Sequence, residues 1–153
     1  MADSKRTTII KNVVTTLAGI TTDNGYHMTV SGVEVGVQNL DENENLPRLF
    51  VVSGEEEANW QTNLSYNREL YFLIIGKVHV DSDDEASGIL TYELEDLLAD
   101  IFKIMHVDIQ RGNAAFVDYT RSLGCQPIYD WGENIGYVLT KWMVEYHHES
   151  SAP

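Results

Sequence analysis

The pair of side chains nearest to recognisable chemistry is His79 and Asp81, set as His-x-Asp at the end of an apolar run. Residues two apart on an extended strand share a face, so an imidazole and a carboxylate at this spacing could hold a divalent metal ion. A strand end running out into solvent explains the same two residues, and that reading is preferred. Asp81, Asp83, Asp84 and Glu85 are crowded like the start of a calcium loop. Such a loop needs glycine at its sixth position and glutamate at its twelfth, where Ala86 and Tyr92 stand. Ser82 to Glu85 reads instead as a capping box, in which hydroxyl and carboxylate satisfy free amides at a helix start, with Asp83 and Asp84 suiting the positive end of the helix dipole. His147 and His148 are adjacent, point to opposite faces of a strand and cannot chelate one ion together. Cys125 is the sole cysteine and has no basic neighbour closer than Arg121 to activate a thiolate. Phosphate-binding, dinucleotide-binding, nucleophile-elbow and zinc-protease patterns are all missing from the chain. The expectation is a protein without catalytic residues, cofactor or metal.

What the chain has in quantity is acid. Ten Lys and Arg stand against 24 Asp and Glu, a formal net charge of −14. A surface of that sign repels phosphate backbones, which excludes stable nucleic-acid binding. The acids are concentrated: six acids against Arg48 alone between Asp41 and Glu57, and eight with no base between Asp81 and Asp100. A solvated face accounts for such runs in general. The functional alternative is a surface that must not adhere to DNA, assigned to Asp41, Glu42, Glu44, Glu55, Glu56 and Glu57 as exposed lumen or rim residues. Aromatic side chains in polar segments are efficient interface anchors, which singles out Trp60, Tyr66, Tyr129 and Trp131. Trp142 lies in a strongly apolar strand and is assigned to the core.

These residues need elements to hold them. Ile9, Ile10, Val13, Val14, Leu17 and Ile20 recur at helical spacing and predict a helix over 5–20, stopped by the turn signal Asn24-Gly25. Alternating Met28, Val30, Val33, Val35 and Val37 predict a long strand over 27–39. After a polar connection at 41–45 and Pro47 comes a hairpin-like return through a short strand, Leu49 to Val52. Residues 53–67 read as a surface loop. Arg68 to Val80 is the strongest strand, with Leu70, Phe72, Ile74, Val78 and Val80 on one face and Tyr71, Leu73, Ile75, Lys77 and His79 on the other. A helix over 83–105 carries the stripe Leu90, Leu94, Leu97, Leu98, Ile101, Phe102 and Met105, with Glu93, Asp96 and Asp100 opposite. Strands over 114–122 and 136–147 follow, joined by a loop containing Gly124, Pro127 and Gly132.

The order α-β-β-β-α-β-β with alternating strands predicts a two-layer α+β fold, a mostly antiparallel twisted sheet with both helices on one face. The other face is then left partly apolar, through Tyr71, Leu73 and Ile75 or Leu139 and Met143, and points to self-association. A length of 153 residues with 43% hydrophobic composition fits one domain with loose ends near 1–4 and 149–153. No apolar run is long enough for a membrane helix. Met1 to Asn12 lacks the apolar block of a secretory leader, which together with the single cysteine suggests a reducing site of synthesis and an unused sequon at Asn63.

The segments IIKNVVTTL, LPRLFVVSGEEE, RELYFLIIGKVHV, ELEDLLADIFKIM and VLTKWMVEYHH, in that order and with a glycine-spaced strand after the first, resemble the tail terminator proteins of tailed bacteriophages, also called tail completion or minor tail U-like proteins. The resemblance runs from about Ile9 to His147 and is one of element order rather than of invariant chemistry. It implies a non-enzymatic virion protein, assembled in the host cytoplasm, that forms a hexameric ring at the head-proximal end of the tail. Such a ring ends polymerisation of the tail tube. Its implied partners are further copies of itself, the tail tube protein, the head or neck connector and the sheath protein of a contractile tail, with DNA passing through unbound. The alternatives are a head-completion or neck adaptor, a small-ligand-binding α+β domain or enzyme using His79, Asp81 and the tyrosines, and an acidic DNA mimic.

Overall fold

A computed structural model describes residues 3–60, 65–81, 86–109, 111 and 116–149. Helix α1 spans Lys5–Leu17. The Ser4 hydroxyl caps it by accepting from the Thr7 amide at 3.1 Å, and Ile9, Val13 and Leu17 form its buried stripe. It ends three residues before the sequence expectation because Thr21 begins a separate 3-10 turn over Thr22–Asn24, closed by Gly25 at φ 88°.

The five strands are β1 (Gly32–Val35), β2 (Arg48–Trp60), β3 (Ser65–His79), β4 (Val117–Asp130) and β5 (Ile135–Glu149), and helix α2 (Ala86–Val107) joins β3 to β4. In the open sheet the order is β1-β2-β3-β5-β4, antiparallel except for the parallel β1–β2 pair. This is the expected α+β architecture with the expected element order.

Four local expectations need correction. The strand predicted over 27–39 shrinks to four residues because its backbone is engaged elsewhere: the His27 and Met28 amides donate to the Asp100 carboxylate, Val30 to Ile20 and Ser31 to Pro47. Gly36, at φ 89°, then turns the chain away. The predicted hairpin return is a parallel pair, since residues 36–47 cross the sheet before β2 begins. The segment read as a loop over 53–67 is largely strand. Its polar residues are held by a backbone ladder that continues from Glu56 opposite Leu70 to Trp60 opposite Tyr66, past a bulge between Ser53 and Glu56. Likewise Gly124 and Pro127 lie inside β4, where an edge position tolerates both a bulge and a missing amide donor. The capping box proposed at Ser82–Glu85 lies outside the described residues, as do the side chains of Glu55, Glu56, Glu57, Trp60, Tyr66 and His148.

Both helices contribute to the buried cluster on one sheet face: Ile9, Val13 and Leu17 from α1, Leu90, Leu94, Leu97, Ile101, Ile104 and Met105 from α2. From the sheet come Leu49, Val51, Leu70, Phe72, Ile74, Val78, Val138, Trp142 and Val144. Two glycines seat α2. A Cβ on Gly76 would stand 2.7 Å from Leu97 Cδ2, and one on Gly136 would stand 2.5 Å from Leu94 Cδ1. Trp142 is fully buried, as assigned, with its indole N–H donating to Thr140 Oγ1 at 2.7 Å and that hydroxyl donating to the Ile74 carbonyl. Asp100, expected on the outer side of α2, is instead 1% exposed. Its carboxylate ties the approach to β1 onto the helix.

Candidate interaction surface

The sheet face turned away from the helices falls into three zones along the strands. Near the His79 end, Phe50, Ile75 and Lys77 are buried although no helix covers them. The cover is the crossing segment 36–47. Lys77, only 1% exposed, donates through Nζ to the Leu40 carbonyl at 2.7 Å, the Glu42 carbonyl at 2.8 Å and Asn43 Oδ1 at 2.8 Å. Burial lowers the Lys77 pKa, and the neighbouring carboxylates of Asp41 and Glu42 oppose that shift. Burial and the charges of Asp41 and Asp130 raise the Tyr137 pKa on the same face. Arg48 pins the start of the crossing by reaching Glu34 at 2.8 Å and Glu42 at 3.5 Å.

Toward the other end the face is polar. Tyr71 donates its hydroxyl to Glu69 at 2.6 Å, Asn67 donates to Glu145 at 3.0 Å, and hydrogen bonding to Glu145 raises the Tyr119 pKa. Between these zones lies a shallow groove of about 260 Å³, walled by Leu73, Leu139 and Leu123, with Cys125 and Lys141 also lining it. The apolar face expected from the sequence is thus narrowed: Ile75 and Met143 are buried, while Leu73 and Leu139 remain partly open in the groove. The groove is smaller than the roughly 300–1,000 Å³ typical of small-molecule sites.

The four aromatic anchors fall into two pairs. Tyr129 and Trp131 stack with centroids 4.3 Å apart at the β4–β5 turn, where Trp131 is 51% exposed. Trp60 and Tyr66 occupy opposed register positions at the end of the β2–β3 hairpin, in strands rather than in the loop expected for them. The strands run between these two places. The 15 residues of β3 at about 3.3 Å each put the two pairs roughly 45 Å apart. Among the acids, Asp41, Glu42 and Glu44 are exposed on the crossing segment, whereas Glu55, Glu56 and Glu57 belong to β2 and not to a loop. His79 and Asp81 are both exposed at the end of β3, and the described residues hold no group of three or more His, Cys, Asp or Glu able to enclose a metal. His147, rather than pairing with its neighbour, meets Asp118 at 3.1 Å.

Lys77 and Asp100 were missed as structural residues, though both left a signal. Lys77 is the one charged residue in the run from Leu70 to Val80 apart from His79, and a lysine there has to be paid for by partners. Asp100 lies three residues after Leu97 and four before Ile104, on the buried side of the stripe. The groove left no such signal, because Leu123 reaches it only through the bulge between Ser122 and Gly124. The sequence matches no family model and no curated protein. No helix among the described residues is long and apolar enough to cross a membrane.

Proposed function

We propose that this chain is a structural subunit of a tailed-phage virion, a tail terminator that assembles into a ring between tail tube and head connector. The observation that carries the reading is the distribution of sticky surface on an otherwise acidic molecule. Exposed large apolar side chains gather at the two sheet edges, Val35 and Val37 on one side and Leu123, Ile128 and Trp131 on the other, with Tyr92, Val107 and Ile109 on or after α2. Surface on two opposite sides of a subunit suits repeated head-to-tail association, and the stacked Tyr129–Trp131 pair at one strand end suits contact with a neighbour stacked along the ring axis. The one-sided helix layer and the element order agree with the family that the sequence resembles. The charge of −14 suits a conduit that DNA crosses without adhering. In this reading Asp41, Glu42 and Glu44, exposed together, belong to the rim or lumen.

The test is the solution mass by light scattering at several protein concentrations, alone and with the tail tube protein of the same virion. A ring-sized mass, near sixfold, in either condition is the expected result. A strict monomer in both, indifferent to the tube protein, refutes the assignment.

A further inference from the structure

The groove, which runs from β3 across β5 to the β4 edge, and the exposed valines at the β1 edge lie beside charges of opposite sign. The groove is walled by Leu73, Leu123 and Leu139 with Gln126 and the exposed Lys141, and a second exposed cation, Arg121, stands two positions before Leu123. At the opposite edge Val35 is 61% and Val37 47% exposed, and the chain continues from them into exposed Asp41, Glu42 and Glu44. We propose that the groove of Leu73, Leu123 and Leu139 receives the Val35–Val37 segment of a second copy of this chain, with the acids that follow lying against Lys141 and Arg121. This rests on the ring reading above and assigns the surfaces that would make the ring.

Three points favour a second copy as the occupant. A chain of net charge −14 repels its own kind, so copies meet where charge is absent or reversed. Ser122 to Tyr129 contains no charged residue, nor does Val35 to Leu40; Lys141 in the groove and Arg121 beside it are cations that can face Asp41, Glu42 and Glu44, while Glu34, next to Val35, is already paired with Arg48. A protrusion that fits a pocket elsewhere on the same molecule makes a heterologous contact, the kind that generates rings when the rotation closes. Main-chain pairing is not the basis of the contact. Pro127 withholds a donor from the β4 edge and β1 is only four residues long, so side chains carry it.

Gln126 lines the groove opposite Leu139, whereas Cys125 stands opposite Thr140 on the helix side of the sheet, so Gln126→Cys in a Cys125→Ser background supplies the test. Val35→Cys and Val37→Cys, each made in the full chain, place a second thiol on the proposed protrusion. Mild oxidation followed by a non-reducing gel then reads the geometry. A head-to-tail contact gives a ladder of dimers, trimers and larger species ending at the ring, abolished when Gln126 is restored. A two-fold contact between β4 edges gives a dimer with Gln126→Cys alone and no ladder when either valine is also changed, which overturns the proposal. As an independent arm, Val35→Asp and Lys141→Glu change exposed side chains and should leave circular dichroism unchanged while the ring-sized mass is lost. A wild-type ring mass in both variants, with no ladder, overturns the proposed contact and leaves the ring itself standing. A wild type that is monomeric alone and with tube protein overturns both.

Discussion

Replacing Asp100 by alanine should produce a large stability loss on an outwardly polar helix, and its size follows from three hydrogen bonds. The carboxylate accepts from the His27 amide at 3.0 Å, from the Met28 amide at 2.9 Å and from His27 Nδ1 at 2.9 Å. The imidazole is 61% exposed and can turn to water, so its loss costs little. The two amides lose an ionised acceptor, at about 1.5–3 kcal/mol for each such bond. Two terms work the other way: a buried carboxylate no longer has to be desolvated, and alanine is the better helix former by about half a kcal/mol. The net expectation is a loss of about 2–4 kcal/mol, against a total stability of about 5–15 kcal/mol for a domain.

For a chain of this length that loss lowers the melting temperature by roughly 5–15 °C. Asp100→Asn separates the contribution of shape from that of charge. It keeps one acceptor but turns an NH2 donor toward the other amide, so it should recover at most part of the alanine loss. Urea unfolding followed by circular dichroism gives the free energies, at one fixed protein concentration because assembly raises apparent stability. Hydrogen exchange should show protection lost first at the His27 and Met28 amides. An alanine variant within about 0.5 kcal/mol of wild type would refute the argument that Asp100 holds the approach to β1.

Lys77→Met removes the ammonium that three oxygens of the crossing segment accept; limited proteolysis should then cut within residues 36–46, with a stability loss of about 1–3 kcal/mol. Glu93→Gln should act in the opposite direction. Burial, reinforced by Asp96, raises the folded pKa of Glu93, so its ionised form costs stability at neutral pH and the cost disappears as pH falls below the ordinary glutamate value of about 4.3. The glutamine variant is therefore expected to show a higher urea midpoint than wild type at neutral pH and the same midpoint in acid; equal midpoints at neutral pH would argue against the burial effect. Salt should help assembly at first, since screening removes repulsion between copies of charge −14 within a Debye length of about 8 Å at physiological strength. Light scattering from about 0.01 to 0.15 M salt should show the ring fraction rising, and a steady fall would mean that ion pairs outweigh the apolar contact.

The fold was legible where side-chain burial decides structure and illegible where backbone pairing does. The apolar stripes of α1, α2 and the middle of β3 gave element type, order and facing, because each has a buried side to write into the sequence. Residues 53–60 and 123–130 carry no such record. They extend β2 and β4 as hairpin arms whose hydrogen bonds are satisfied by a neighbouring strand whatever the side chains are. The opposite error came at 27–31, where alternating apolar residues do pack on the core but their amides are taken by Asp100, Ile20 and Pro47. For the candidate surface, residue type pointed to Tyr129 and Trp131 and to the acids at 41–44. It could not divide the aromatic anchors between two ends of the sheet, because that depends on the strand register.

The placement of surfaces also weighs on the rival readings. An enzyme or ligand-binding domain brings its polar groups together over one cavity, and here His79 and Asp81 stand exposed at a strand end, away from the groove of Leu73, Leu123, Leu139, Gly124, Cys125, Gln126 and Lys141. A DNA mimic needs its acids as a continuous array, whereas Asp41, Glu42 and Glu44 are attached to a segment that Lys77 and Arg48 hold against the sheet. That tether favours a rigid rim over a free acidic patch. A subunit with apolar side chains on two lateral edges and a stacked aromatic pair at one end of its sheet has different surfaces in two directions. Lateral surfaces that fit each other build a ring, and end surfaces that differ from each other let one ring join two unlike partners. The proposed adaptor role requires both properties, and a head-completion or neck protein would require them as well. The tail tube protein is therefore the discriminating partner, because only a terminator should cap its growing end.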